Sequence, residues 1–347
     1  VAFGLIVSNV VTHQSYYAKK GTVIGDIPLY LGKHCIQWNF PNDNVYMSLA
    51  DVRFVIQYDV LFPYCVIDLS DGSSASSYPV SYLKSKPSGG WTDEYKMNKL
   101  VLRLIKPGTF MMGDDDSPYK SHQVTLTKPY YIGIFEVTQK QYDLVTGGRY
   151  IENRGDMKPM YGLSWNTIRG NYNWPSDKRI SSTSFVGRLY NRTGLEFDLP
   201  TDAQWEYACR AGSATKYYYG NTALGSYMWY KENYDSSERI HIVGLKRPNL
   251  WGLYDMLGNV AEPCLDWDGL GEALSEVDPE GPSTGEFRIW RGGDYYSADW
   301  ICTSSYKVSK KQSSIWSPSD MSGFRVVANI PQGDMVVTEI DMLKKDE

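Results

Sequence analysis

The sequence predicts an α+β protein: a small β-sandwich-like unit at 1–85, a linker at 86–99, a larger mixed domain at 100–330 and a polar tail at 331–347. Three features carry this expectation. Polar and apolar side chains alternate through Asp51–Val60, the period of a half-buried strand. No helical periodicity of useful length appears before the linker, whereas Thr138, Ser184 and Thr201 each stand where an N-cap would open a short helix. Beyond Gly212 the chain is rich in Tyr, Gly, Asn and Trp with few periodic segments. Long irregular stretches are uncommon in compact domains unless they are functional or tied down by a metal.

Taken in order, Cys65–Leu69 reads as a second short strand, followed by the Asp71-Gly72 turn and a Ser-rich run to Ser77. Pro87 and Gly89-Gly90 disfavour regular structure in the stretch from Lys84 to Lys96. Leu100–Ile105 reads as a strand stopped by Pro107-Gly108, and Val124–Thr127 and Tyr130–Phe135 as further strands. A helix follows Thr138 to about Val145 and closes at Gly147-Gly148; a second runs from Ser184 to Arg192, ending before Gly194. Thr201 and Gln204 have capping-box spacing and open a third helix through Cys209.

Composition narrows the function classes. The chain has 347 residues, a length that favours two domains over one, and its net charge of -5 offers no basic stripe for nucleic acid. No run approaches 18 apolar residues, so no membrane-spanning helix is expected. The five cysteines include no C-x-x-C pair; Cys35 and Cys65 could bridge or stay as two buried thiols. There is no G-x-S-x-G, Walker loop or H-E-x-x-H, and Asp114–Asp116 reads as an acidic turn rather than a metal site. Aromatics make up 14% of the chain, with 28 Tyr and 11 Trp. That excess favours either a dense aromatic core or a Tyr/Trp recognition surface.

Seven segments then fall in one order: Lys106–Gly113, His122–Leu126, Tyr131–Gln139, Leu199–Ala208, Pro248–Val260, Trp290–Gly293 and Gly323–Val327. In that order they resemble the sulfatase-modifying-factor family, the formylglycine-generating-enzyme type of C-type-lectin fold. The resemblance covers about two-thirds of the chain and leaves out the N-terminal region. Its relatives include copper-dependent oxidases, iron-dependent sulfoxide synthases and non-catalytic binders, among them the variable proteins of diversity-generating retroelements. Fold does not choose between them.

The resemblance implies a copper site of two cysteines after Gly292-Gly293, but the first position is Ser297 and only Cys302 matches the second. Copper(I) needs soft thiolates, so no copper is expected and Cys302 would be catalytic only in the enzyme alternative. The sulfoxide synthases need a histidine cluster; His13, His34, His122 and His241 are scattered. The resemblance also implies a structural calcium held by Asp255, Gly258, Val260 and Glu262, carboxylates and carbonyls being the hard donors calcium prefers. Ala261 and Pro263 depart from the family's pattern beside it.

What remains is a recognition surface. Asp294, Tyr295, Tyr296, Ser297, Asp299, Trp300, Thr303, Ser304, Tyr306 and Trp316 lie between framework at Gly292-Gly293 and at Gly323–Arg325. Rigid aromatics with small polar residues are the mixture recognition loops use. The family's usual pair of arginines is replaced here by Thr303 and Lys307. The expected function is non-catalytic binding of a protein or glycan ligand, in an extracellular, cell-surface or virion-associated setting. The alternatives are an oxidase of the formylglycine-generating type and a structural part of a surface or phage assembly.

Overall fold

The computed structural model describes residues 62–116, 120–148, 154–269, 276–312 and 322–329 in full, and the backbone of five strands before them. The chain divides into two units, Val1–Leu61 with Gln332–Glu347, and Phe62–Pro331. In the first unit, β1 (Phe3–Asn9) lies between β2 (Ser15–Tyr17) and β5 (Val52–Tyr58), antiparallel to both. The short strands β3 (Val23–Ile24) and β4 (Gln37–Trp38) pair separately. β5 falls on the alternating run from Asp51.

The second unit begins earlier than the sequence suggested. β6 (Tyr64–Asp68) pairs with β7 (Val80–Leu83) and with β8 (Lys99–Ile105), in register from Tyr64↔Arg103 to Asp68↔Lys99. The division therefore lies at Leu61/Phe62, not in the stretch 86–99. That stretch carries the short helix α1 (Glu94–Met97), which leads directly into β8. Pro87 and Gly90 break regular structure there, but the break is a crossover within one domain. Cys65 is a buried, free thiol of this sheet, and burial pushes it up to about 12.

β9 (Gly108–Met112) pairs with β10 (His122–Leu126). β11 (Tyr130–Gly133), α2 (Gln139–Thr146), α3 (Trp165–Arg169), α4 (Phe185–Thr193), β12 (Glu196–Asp198) and α5 (Asp202–Arg210) follow. β13 (Glu262–Trp267), β14 (Glu276–Val277), β15 (Phe287–Arg291), β16 (Lys307–Lys311) and β17 (Val327–Asn329) complete the unit. The main sheet has the order β12-β17-β11-β8-β6-β7, and a second sheet has β13-β15-β16.

The caps explain the helix boundaries. Thr138 and Thr201 both form complete capping boxes, with Gln141 and Gln204 reaching back to the cap N–H, and Gly147 and Gly194 close α2 and α4 in the left-handed region. The Asp114–Asp116 segment is a turn, Asp116 N donating to Asp114 Oδ1 at 3.0 Å. Much of the aromatic excess is core: Trp165, Trp205, Trp290, Phe185 and Phe324 are fully buried. No helix among the described residues is long and apolar enough to cross a membrane.

Candidate functional site

The site is built on the end of β15. Arg291 is buried, pairs with Asp202 and Glu206 on α5, and donates to Ser305 O at 2.8 Å. This anchors both ends of the segment that follows. Gly292 and Gly293 then turn the chain with φ of 86° and 69°. A Cβ at Gly293 would stand 2.7 Å from Cys302 Sγ, so only glycine lets the chain close over that thiol. Asp294 forms the next turn, its Oδ1 accepting from Tyr296 N at 3.0 Å and from Ser297 Oγ at 2.8 Å. Lys231 N donates to Ser297 O, and Tyr217 OH reaches Asp299 O at 3.3 Å.

These contacts bear on whether the residues present fit copper. Ser297 Oγ is engaged with Asp294, accepting from Asp294 N at 3.1 Å as well as donating back. Cys302 is buried, and burial first, then Asp294, Glu232 and Asp299, push its thiol well above its ordinary value. A single protonated, enclosed thiol beside a hydroxyl does not fit copper(I). His241 is buried against Trp229, with ring centroids 3.6 Å apart, and burial lowers its pKa.

The expected recognition residues divide. Tyr296 is 61% exposed and Trp300 54%, while Asp294, Ser297, Asp299 and Tyr306 are half-buried. Trp300 meets Tyr306 edge-on at 5.4 Å. Three expectations are corrected. Tyr295 is buried, packing in a small cluster with Tyr161, Ile240 and Val260, because its backbone N–H bonds Asn259 O and turns the ring inward. Thr303 and Ser304 are also buried, Ser304 N donating to Lys216 O. Those two belong to the floor beneath the turn, so they are not contact residues. Trp316 lies outside the described residues.

Sequence reasoning missed a second segment beside this turn. Tyr234 stacks on Tyr295 at 5.4 Å and meets Tyr296 edge-on at the same distance. Glu232 is exposed and acts electrostatically on Cys302. No local pattern around residue 232 signals this, since the partners lie about sixty residues apart with β13, β14 and β15 between them. The structure also holds a cleft of about 520 Å³ lined by His122, Asp202, Asp266, Trp267 and Lys307 among others.

The Asn-Val loop is held by buried polar groups. Asp255, Asn259 and Gly258 have φ of 52°, 59° and 78°; a Cβ at Gly258 would meet Trp229 O at 1.9 Å. Asn259 Nδ2 donates to Glu136 Oε2 at 2.7 Å, and Val260 N to Glu136 Oε1. Glu262 accepts from Trp205 Nε1 at 2.7 Å and from Arg325 at 2.9 to 3.2 Å on both oxygens. A carboxylate has about four lone-pair sites. Glu262 is thus engaged by three N–H groups and neutralised by its ion pair with Arg325, which weakens it as a ligand for calcium. Asp255 does fit a cation: it is buried, Oδ2 accepts from Gly244 N, and Oδ1 has no hydrogen-bond partner. Glu136, Asp255 and Glu262 also act on one another as like charges against Arg325. Among the described residues no group of three or more His, Cys, Asp or Glu is disposed to hold a metal.

The chain is 36% identical over 140 residues to the formylglycine-generating enzyme of Streptomyces coelicolor, a match covering 36% of this chain and 43% of that protein. The chain thus spans less than half of that curated relative. Among solved structures it is similar to Treponema denticola variable protein 1, with a TM-score of 0.57 and 24% identity, covering 67% of this chain and 96% of that one. It is also similar to PvdO from Pseudomonas aeruginosa, with a TM-score of 0.52 and 23% identity over 67% of this chain and 95% of that one. The fold is the α+β, C-type-lectin-like fold of formylglycine-generating enzymes. Residues 93–330 match the sulfatase-modifying factor enzyme 1-like domain, and the chain belongs to that family.

Proposed function

We propose that this chain is a non-catalytic binding protein whose contact surface is the turn 294–300 with Tyr306 and Tyr234 beside it. The observation that carries the reading is the exposure of Tyr296 and Trp300 on a turn that closes over a single buried thiol, Cys302, with Ser297 at the other position where the family resemblance implies a cysteine. Large aromatics left in water mark contact sites, and Tyr and Trp dominate binding hot spots. The ligand is a protein or a glycan. The fold likeness to a Treponema denticola variable protein supports a surface open to diversification; a template repeat beside a reverse transcriptase at the locus, differing at adenines, is its test. Calcium is proposed as a structural ion held first by Asp255, whose Oδ1 has no hydrogen-bond partner, with Glu262 the weaker carboxylate because it is paired with Arg325.

Copper(I) titration of the reduced full chain, with a cysteine-containing peptide as substrate, separates this reading from the oxidase alternative. No tight one-to-one binding and no aldehyde product are expected. Tight binding with turnover would overturn the proposal.

A further inference from the structure

The cleft of about 520 Å³ contains no residue of the 294–300 turn, and its size falls within the roughly 300–1,000 Å³ of small-molecule sites. Met112, Ala203 and Ile289, all buried, give it an apolar lining from β9, α5 and β15. Asp266 on β13 lines it too, although that residue is only 3% exposed. Its Oδ2 accepts from Asp202 N at 2.7 Å, and its Oδ1 makes no hydrogen bond among the described residues. Gly281, with φ of 74°, forms the wall against this carboxyl; a Cβ there would stand 2.9 Å from Asp266 Cβ and 3.1 Å from Oδ1. Glycine lets the chain pass that close without crowding the oxygen. Trp267 also lines the cleft, and its buried Nε1 has no partner either.

Buried polar groups in folded proteins are nearly always bonded, and one left unpaired at a cavity wall is costly until something fills it. The occupant must supply a donor to Asp266 Oδ1. Charge narrows its chemistry further. Lys120 and Lys307 line the cleft together with Asp202, Glu276 and Glu280, and Lys307 Nζ lies 2.8 Å from Asp202 Oδ2. With both signs present, a cation meets the ammonium groups and an anion meets the carboxylates. A neutral ligand bearing hydroxyls avoids both, because each hydroxyl donates one hydrogen bond and can accept others. A sugar ring combines such hydroxyls on its edge with C–H faces that suit Met112 and Ile289.

We infer that this cleft is a second binding site, which takes one neutral sugar ring of a glycan with a ring hydroxyl donating to Asp266 Oδ1. The inference goes beyond the contact surface at the turn and does not depend on it.

The test uses the full chain at pH 8, above the value of about 7 to which burial and then Asp202 push Asp266, so that the group is an ionised acceptor. An array of neutral, sialylated and amine-bearing oligosaccharides is probed, and the tightest neutral binder is then titrated by calorimetry. Neutral glycans are expected to bind, and their charged counterparts more weakly. Asp266→Asn still accepts from Asp202 N but presents an amide N–H in place of the spare oxygen, and should weaken binding about tenfold. Val277 is an exposed residue of the cleft wall, so Val277→Trp should narrow the opening and weaken binding about threefold with an unchanged melting temperature; it carries the test if Asp266→Asn fails to fold. Trp300→Ala should leave glycan affinity as it was. No binding of any neutral glycan, tighter binding of the charged ones, or an affinity unmoved in folded Asp266→Asn or in Val277→Trp overturns the inference. Neutral glycans lost in Trp300→Ala but kept in both cleft variants would seat the sugar on the turn, leaving the contact surface standing and removing the cleft site.

Discussion

Adjacent tyrosines give the sharpest test of how the 294–300 turn is oriented. Tyr295 is 6% exposed and packs against Tyr161, Ile240 and Val260, whereas Tyr296 is 61% exposed. A tyrosine that buries about 200 Å² is worth about 5 kcal/mol at roughly 25 cal/mol per Å², an upper bound because unfolded chains already bury some surface. Tyr295→Ala removes nearly all of that and leaves a cavity, so it should cost about 3–5 kcal/mol. Tyr296 withdraws only about two-fifths of its surface, about 80 Å² or about 2 kcal/mol at most, and truncation leaves no enclosed void. Tyr296→Ala should therefore cost about 1–1.5 kcal/mol, a gap of about 2–3 kcal/mol between neighbours. Urea unfolding of both variants, followed by far-UV circular dichroism and compared at a shared m-value, reads this gap directly. Equal losses would mean that the turn does not alternate as described, and the exposed-ring surface would lose its basis. A silent Tyr295→Ala would have the same consequence.

Three further outcomes are expected. Calcium at a hundredfold excess over its dissociation constant should stabilise the chain by about 2.7 kcal/mol, a rise of about 5–10 °C in melting temperature; Asp255→Asn should abolish the response, and an unchanged melt in chelator counts against the ion. Native protein should resist Ellman's reagent at Cys65, Cys209, Cys264 and Cys302, all buried and all with raised thiols; rapid modification of Cys302, read by mass spectrometry, would show an open site instead. Burial, then the neighbouring Asp202, push Asp266 up to about 7. A carboxyl raised in the folded state binds its proton more tightly there than when unfolded, so it favours folding below its unfolded pKa and that advantage is lost as pH rises through the folded one. Stability should fall between about pH 4 and pH 7, and Asp266→Asn should flatten the slope; the variant and the parent sharing one profile would refute the assignment.

The sequence by itself determined the features that local chemistry writes down. Thr138 and Thr201 with their glutamine partners, and the glycines that close α2 and α4, fix helix ends within a few residues, so those boundaries were legible. The seven ordered segments carried the fold family because each is a framework element with little freedom to vary: a glycine that must close over Cys302, an arginine buried on Glu262. The replacement of a thiol by Ser297 was equally plain.

Only the tertiary structure decided what depends on partners distant in the chain. Cys65–Leu69 looks like any short strand; its pairing with β8 puts it in the second unit. Tyr295 and Tyr296 are indistinguishable by composition, and a hydrogen bond from Tyr295 N to Asn259 O turns one inward. Thr303 and Ser304 look like recognition residues until Arg291, reaching across from β15, draws their segment into the floor. The family resemblance implies a calcium ligand at Glu262, and only the fold reveals that Arg325 and Trp205 bond it from sixty-three and fifty-seven residues away. Side chains on irregular loops have no period to declare their direction, so their exposure is set by contacts that close only when the chain folds.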